Sequence, residues 1–313
     1  MTKYNVLITG GAGYLGSILV PALLDRGYNV TVLDNFLYDQ TSLLECCAHP
    51  EFKVIKGDAR NEATVKEALK GQDIIVPLAA IVGAPACDLD PLATHSTNYE
   101  AVALVNRLRS KDQRIIFPTT NSGYGIGQEG IFCTEETPLR PISLYGTTKV
   151  DAEKNILDSG NCVTFRLATV FGFSPRMRLD LLVNDFTYRA FHDRYIVLFE
   201  AHFKRNYIHI RDVAKAFLFA IDNFDRMKNQ PYNVGLSSAN LSKMELCEKI
   251  KEQLPKFNIF ASEIGKDPDQ RNYIVSNEKI ERLGYKPDHS IEMGISELIK
   301  GYNIITNNKF ANI

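Results

Sequence analysis

A tyrosine and a lysine four residues apart, in Tyr145-Gly146-Thr147-Thr148-Lys149, form the pair in this sequence best suited to moving a proton. On a helix, residues at that spacing share one face. A phenol titrates near ~10 and is a poor base at neutral pH. A nearby ammonium favours the phenolate. Lowering the phenol by about 3 units takes about 4 kcal/mol, which buried charges supply and screened surface charges do not. The polar turn Thr119-Thr120-Asn121-Ser122-Gly123-Tyr124-Gly125 follows a strand-like run, and Thr120 lies 25 residues before the tyrosine. A hydroxyl at the carboxyl end of a strand can hydrogen-bond an alkoxide or a ketone. Taken alone, each stretch has an ordinary alternative: a surface Tyr and Lys at chance helical spacing, and a turn rich in Gly and Asn.

A third stretch supplies an anion cradle. The apolar run Val6-Leu7-Ile8 reads as a buried strand, and Ser17 to Leu24 has a helical apolar pattern. Between them stand Gly11-x-Gly13-x-x-Gly16 and the wider Gly10-x-x-Gly13-x-x-Gly16. In such a turn one glycine makes the bend, one admits a pyrophosphate, and one lets helix pack on strand. The helix N-terminus adds free N–H groups and partial positive charge. A second strand, Asn29 to Leu33, ends at Asp34, 18 residues past Gly16, where a carboxylate can hold an adenosine ribose. Strand, turn, helix, strand and acid in that order predict dinucleotide binding. Asp34 would repel a 2′-phosphate and no Arg follows in Asp34-Asn35-Phe36-Leu37, so the expected cofactor is NAD rather than NADP. Its positive nicotinamide ring would join Lys149 in favouring a Tyr145 phenolate.

The elements that position these groups alternate regularly. Strands are expected at Phe52–Lys56, Asp73–Val76, Arg114–Phe117 and Cys162–Leu167, with helices at Glu62–Lys70, about Leu92–Leu108, and Ile142–Leu157. That rhythm predicts an α/β fold, a Rossmann-like doubly wound parallel sheet. After Gly172 it breaks into the basic loop Ser174–Arg178 and a helix at Leu179–Phe191. The strand Asn206–Ile210, the helix Asp212–Asn223 and the strand Tyr232–Gly235 read as a return to the sheet. Helices are expected again at Lys243–Leu254 and Ile291–Tyr302. The expected division is a dinucleotide-binding domain of residues 1–171 plus about 205–235. Residues 172–204 plus about 236–313 form a second, smaller α/β substrate domain, with the site in the cleft between the two.

Composition narrows the class. The 313 residues are 45% hydrophobic, enough for one large or two modest domains. A formal charge of −1 gives no electrostatic case for nucleic acid or a membrane surface. Six cysteines without CxxC spacing predict reduced thiols and no metal site. The cradle strand begins almost at once, so no signal peptide is expected, and no apolar run is long enough to span a bilayer. The expected location is cytoplasmic.

The chain resembles the extended short-chain dehydrogenase/reductases that modify nucleotide sugars. The likeness runs through Gly10–Gly16, Asp34, Gly57-Asp58-Ala59, Leu78-Ala79-Ala80, Asn98, Thr120, Glu135, Pro141 and Tyr145-x-x-x-Lys149. It continues in Arg205–His209, Tyr232–Gly235, Asp269-Gln270-Arg271 and Leu283–Pro287. The resemblance implies that Tyr145 takes a sugar hydroxyl proton, that Lys149 binds the nicotinamide ribose, and that Thr120 orients the hydroxyl. It implies a cofactor set of Gly10, Gly13, Tyr14, Leu15, Gly16, Asp34, Asn35, Asp58, Ala59, Leu78, Ala79, Ala80 and Asn98 with Tyr145 and Lys149. It implies substrate contacts from Thr120, Asn121, Ser122, Arg176, Asn184, Arg205 and Arg271, with Asn184, Arg205 and Arg271 meeting the nucleotide diphosphate. A homodimer through two helices per subunit is also implied.

Departures refine this expectation. The 4,6-dehydratases of the family carry an acidic residue or pair just after the catalytic Thr, where this chain has Asn121 and Ser122, neither of them a general acid. A dehydratase is therefore not expected. Pro77 stands for a frequent His, and Thr169 for a frequent Asn. Val82-Gly83-Ala84-Pro85 and Thr120 to Gly127 are most similar to enzymes acting at C4 of GDP-linked heptose for bacterial capsules. The expected activity is NAD-dependent C4 oxidation of a nucleotide sugar, GDP-D-glycero-α-D-manno-heptose for preference. The alternatives are a C4 epimerase working through a transient 4-keto sugar, a 4-keto-sugar reductase, and a non-catalytic NAD-sensing regulator.

Overall fold

The computed structural model describes residues 3–265 and 270–305. Its large sheet has seven strands, all parallel: β1 (Asn5–Thr9), β2 (Asn29–Asp34), β3 (Phe52–Lys56), β4 (Ile74–Pro77), β5 (Arg114–Thr120), β6 (Cys162–Leu167) and β7 (Gln230–Val234). Their order is β7-β6-β5-β4-β1-β2-β3. Runs such as Val6-Leu7-Ile8 and Ile115-Ile116-Phe117 are wholly buried because helices cover both faces of the sheet. Val6 and Ile8 point to one face, against the helices Gly16–Asp25 and Ile210–Asp222. Leu7 points to the other, with Val105 and Ile156 of the helices Ala101–Leu108 and Leu144–Ser159. Strand order reverses between β1 and β4, so the loops after these two strands part and leave a crevice.

The helix expected near Leu92–Leu108 forms, but it is not uniform. Pro91–His95 and Ala101–Leu108 are α-helical, and Ser96–Glu100 between them is a π-turn. Asp90 caps its start by accepting from the Ala93 N–H at 2.9 Å.

Beyond Gly172 the structure departs from expectation, first in how the strand after the basic loop pairs. The strand Lys204–His209 does not join the large sheet. It pairs in parallel with Thr169–Phe171 and antiparallel with Asn240–Ser242. Thr169–Phe171 follows β6 after a single residue, so it carries the chain off the large sheet and presents a fresh edge. The helix that follows, Ile210–Asp222, and the strand β7 do return to the large sheet. Two short parallel pairs complete this region, Tyr195–Phe199 with Asn258–Ser262 and Phe132–Cys133 with Ile274–Val275. Among the described residues no helix is long and apolar enough to cross a membrane.

Candidate active site

The glycine turn leaves β1 where the crevice opens. Gly10 has φ +72°, and a Cβ there would lie 2.5 Å from the Ala79 nitrogen. A Cβ on Gly16 would lie 2.2 Å from the Gly11 oxygen. Both positions therefore demand glycine, and Leu78-Ala79-Ala80 forms the facing wall. The helix that begins at Gly16 has no side-chain cap. The amides of Tyr14 and Leu15 donate to no group among the described residues, which leaves them for an anion. Asp34 is buried, its Oδ2 accepting from the Ala12 N–H at 2.9 Å and its Oδ1 from the Phe36 N–H at 2.7 Å. Two backbone amides thus fix the carboxylate at the lip of the turn. Asn35 accepts from the Leu37 N–H at 3.1 Å. A cradle that excludes side chains, free helix amides and a fixed carboxylate make the donor set that a dinucleotide requires.

Other expected cofactor residues sit further out. Asp58 is paired with Arg60, Nη2 to Oδ2 at 2.6 Å, and this bond holds its carboxyl below the usual range. Ala59 is buried beside it. Asn98 is fully buried in the π-turn, and its amide is committed to Ile81: it accepts from the Ile81 N–H at 2.8 Å and donates to the Ile81 oxygen at 2.9 Å. It reaches the cradle only by pinning the loop after β4.

Tyr145 and Lys149 lie one turn apart at the start of the Leu144–Ser159 helix, where Ser143 accepts from the Gly146 N–H at 3.1 Å. Lys149 is 4% exposed, with Nζ 4.1 Å from the centre of the Phe117 ring on β5. Burial pushes the lysine down to about 7, against the pull of Glu153. Burial also pushes Tyr145 up to about 12. This corrects the expectation that Lys149 holds the phenol down. Desolvation outweighs charge here, and the same burial disfavours the charged form of the lysine. The cations that do lower Tyr145 are Arg178 and Arg271, helped by a Thr120 hydrogen bond, while Cys87 opposes them. Arg178 was not among the expected site residues. It is buried, bonded through Nε to Asp180 Oδ1 at 3.1 Å, with Nη2 3.5 Å from the Val82 oxygen. The basic loop was visible in the sequence, but an irregular loop has no period to say which of its two buried arginines acts on Tyr145.

Thr120 ends β5. Its Oγ1 accepts from the Ser122 N–H at 3.1 Å and donates to Ser122 Oγ at 2.9 Å. Arg271 Nη1 also donates to Ser122 Oγ. Asn121 is 1% exposed, and neither end of its amide has a hydrogen-bond partner among the described residues.

The remaining expected contacts divide. Arg205 is buried on the strand Lys204–His209, its guanidinium 5.5 Å from the centre of the Tyr273 ring. Tyr273 donates its N–H to the Lys204 oxygen at 3.2 Å, so Arg205 and Arg271 come from neighbouring stretches of backbone. Asp269 lies outside the described residues. Arg176 lies elsewhere: its guanidinium stacks 4.5 Å from the Tyr38 ring centre, and its N–H approaches Ser17 Oγ at 3.4 Å. That is the cradle side of the crevice. Asn184 is fully buried, accepting from the Gly172 N–H at 3.0 Å and donating to the Arg178 oxygen at 2.9 Å and to Tyr14 Oη at 3.3 Å. Tyr14 Oη donates to the Gly172 oxygen at 2.7 Å. These two side chains join the cradle to the loop that carries Arg178. His209, Asp212 and His289 also gather, but the two imidazoles stack at 4.3 Å and 19°. Their in-plane lone pairs therefore run side by side and do not converge on one ion.

Residues 6–235 match the NAD dependent epimerase/dehydratase family. The chain is 28% identical over 309 residues to the low-salt glycan biosynthesis protein Agl12 of Haloferax volcanii, covering 95% of this chain and 98% of that protein. It is 26% identical over 312 residues to a UDP-glucose 4-epimerase of Corynebacterium glutamicum, covering 91% and 92%. The structure of a Thermus thermophilus UDP-glucose 4-epimerase complexed with NAD superposes with a TM-score of 0.81 at 24% identity, over 96% of this chain and 99% of that one.

Proposed function

Because the chain belongs to the NAD dependent epimerase/dehydratase family and is an NAD-dependent enzyme that modifies nucleotide sugars, we propose that its reaction begins at C4 of the sugar, where the hydroxyl is oxidised to a ketone. The observation that carries this reading is the hydrogen bond of Thr120, at the end of β5, to Tyr145, with Lys149 one helical turn on and over Phe117 of the same strand. Bound NAD supplies the hydride acceptor and a positive ring that favours the phenolate. Gly10, Gly13, Gly16, the Tyr14 and Leu15 amides and Asp34 would hold it, and Lys149 would bind its nicotinamide ribose. Tyr145 Oη takes the C4 hydroxyl proton, and Thr120 Oγ1 fixes the direction of that hydroxyl. Arg178 and Arg271 stabilise the phenolate, whose formation burial alone disfavours. Arg205 and Arg271 grip the diphosphate through charge-assisted hydrogen bonds.

Two outcomes share this first step. Return of hydride to the opposite face of the ring makes the enzyme a C4 epimerase, and the UDP-glucose 4-epimerase among its relatives favours that outcome. Net oxidation of GDP-D-glycero-α-D-manno-heptose is the second reading, favoured by the likeness at Val82–Pro85 and Thr120–Gly127. Asn121 and Ser122 offer no acid for loss of water, which supports both over a 4,6-dehydratase.

Anaerobic incubation with UDP-glucose and with the GDP-heptose separates them. Mass spectrometry reads net oxidation as a loss of two hydrogens, and NMR reads inversion at C4 at unchanged mass. Tyr145→Phe should lower turnover by at least ~10²-fold with NAD still bound, and Thr120→Val by less. Loss of a water mass, or near-normal turnover in Tyr145→Phe, would overturn the proposal.

A further inference from the structure

Arg178 is 6% exposed, yet only part of its guanidinium is committed. Nε donates to Asp180 Oδ1 at 3.1 Å and Nη2 to Asp180 Oδ2, a two-pronged ion pair, and Nη2 also lies 3.5 Å from the Val82 oxygen. Nη1, which carries two of the five N–H groups, has no hydrogen-bond partner among the described residues and retains accessible surface. A donor on so buried a group is normally met by a partner. Asp180 is open as well. Its side chain keeps 21% of its surface, and each carboxylate oxygen, with one donor bound, can accept a second.

The pair is placed from three sides. The guanidinium lies over the loop after β4, where a Cβ on Gly83 would be 3.8 Å from Nη2. The Arg178 backbone oxygen accepts from Asn184, which also donates to Tyr14 of the cradle. Of the cations that favour the Tyr145 phenolate, Arg178 acts most strongly. These contacts set the guanidinium between the cradle, the loop after β4 and the proposed base. A diphosphate does not suit it there, because Asp180 cancels the charge of the arginine and would repel an anion. A neutral polyol needs a donor and an acceptor side by side, and the pair offers both.

We propose that Arg178 and Asp180 form a specificity-determining pair that reads two neighbouring hydroxyls of the sugar ring, those on C3 and C2. Nη1 donates to the C3 oxygen, and Asp180 accepts a hydrogen bond from the C2 hydroxyl. The assignment rests on the reading that Tyr145 holds the C4 hydroxyl. Of the two carbons beside C4, only C3 then carries a hydroxyl of its own, since C5 carries the ring oxygen and the exocyclic carbon.

The test is titration calorimetry of the NAD-loaded protein with UDP, UDP-glucose and its 2-deoxy and 3-deoxy analogues, and with GDP, GDP-mannose and the same analogues. In the series of the better-bound nucleotide, loss of either hydroxyl should weaken binding to the unaltered protein about ten-fold, because a hydrogen bond to a charged group is lost. In the double variant Arg178→Gln, Asp180→Asn, whose side chains stay neutral as a pair, the complete sugar should bind no better than its deoxy analogues. NAD and the bare nucleoside diphosphate should bind as before, which a general loosening of the loop would not allow. If the double variant does not fold, Asp180→Asn alone weakens the acceptor and should shrink the 2-deoxy penalty. A 3-deoxy penalty that is absent from the unaltered protein, or that survives in the folded double variant, overturns the proposal. So does a 2-deoxy penalty untouched by Asp180→Asn. Equal weakening of NAD or of the bare nucleotide would assign Arg178 to a diphosphate and overturn it as well. Chemistry at C4 is scored separately by mass and NMR: deoxy penalties that the variant abolishes, without any C4 chemistry, support the pair and sink the proposed function instead.

Discussion

Lys149→Met should make the nucleotide-free protein more stable at neutral pH while removing a group placed in the active site. The lysine falls from an ordinary 10.5 to about 7 because it is buried. The unfolded chain keeps this proton up to 10.5 and the folded chain only up to about 7. Between those values the unfolded state binds more protons, so stability rises with pH. Above 10.5 both forms are neutral and the penalty is gone. A shift of 3.5 units at 1.36 kcal/mol each sets an upper bound of about 5 kcal/mol at and below pH 7. The Phe117 ring beneath Nζ and relaxation around the charge reduce this to about 2–3 kcal/mol. Methionine keeps the unbranched length without the charge. At about 2 °C per kcal/mol for a chain of this size, Tm should rise by about 4–6 °C at pH 7. The gain should shrink toward zero by pH 10.5. Melting curves of both proteins by circular dichroism from pH 6.5 to 10.5 check this. A gain equal at every pH would trace it to packing alone. A loss at pH 7 would show that Glu153, held by Thr164 Oγ1 at 2.8 Å and Arg166 Nε at 3.1 Å, stabilises the lysine more than burial opposes it.

Two further outcomes follow from the geometry. Asp34→Ala removes the carboxylate fixed by the Ala12 and Phe36 amides, so NAD should bind more weakly and NADP relatively better; an unaltered protein that already prefers NADP would sink this reading. The residue 91–108 helix packs beside Leu144–Ser159 and leaves Leu92 85% exposed, and the expected assembly is a homodimer across these helices. Light scattering at micromolar protein should then give twice 35.2 kDa, and a monomeric mass would refute it.

The large sheet was legible because its strands are short, mostly apolar runs, and β1, β2, β3, β5 and β7 are closed by Gly, Asp or Asn. The cradle was legible because Gly13 and Gly16 answer contacts a few residues away, at Gly10 and Gly11, although Gly10 meets the Ala79 wall and Gly11 meets Val32 of the next strand. The strand Tyr195–Phe199 was not, because what makes it a strand is pairing with Asn258–Ser262, some sixty residues on, while Tyr195, Val197 and Phe199 stay exposed. The roles of Asn98 and Asn184 were blurred for a similar reason: type and position marked them as site residues, but their amides are spent on Ile81, Gly172, Arg178 and Tyr14. Helical spacing put Tyr145 and Lys149 on one face and could not give the dielectric around them. Burial sets the direction for both groups, against the sequence expectation for the phenol. The charges that act to lower Tyr145, Arg178 and Arg271, both lie beyond Gly172, in the stretch where the alternating rhythm fails. The environment of the proposed base therefore comes from two parts of the chain: the helix Leu144–Ser159 supplies a phenol whose ionisation burial opposes, and the later residues supply the cations that favour it.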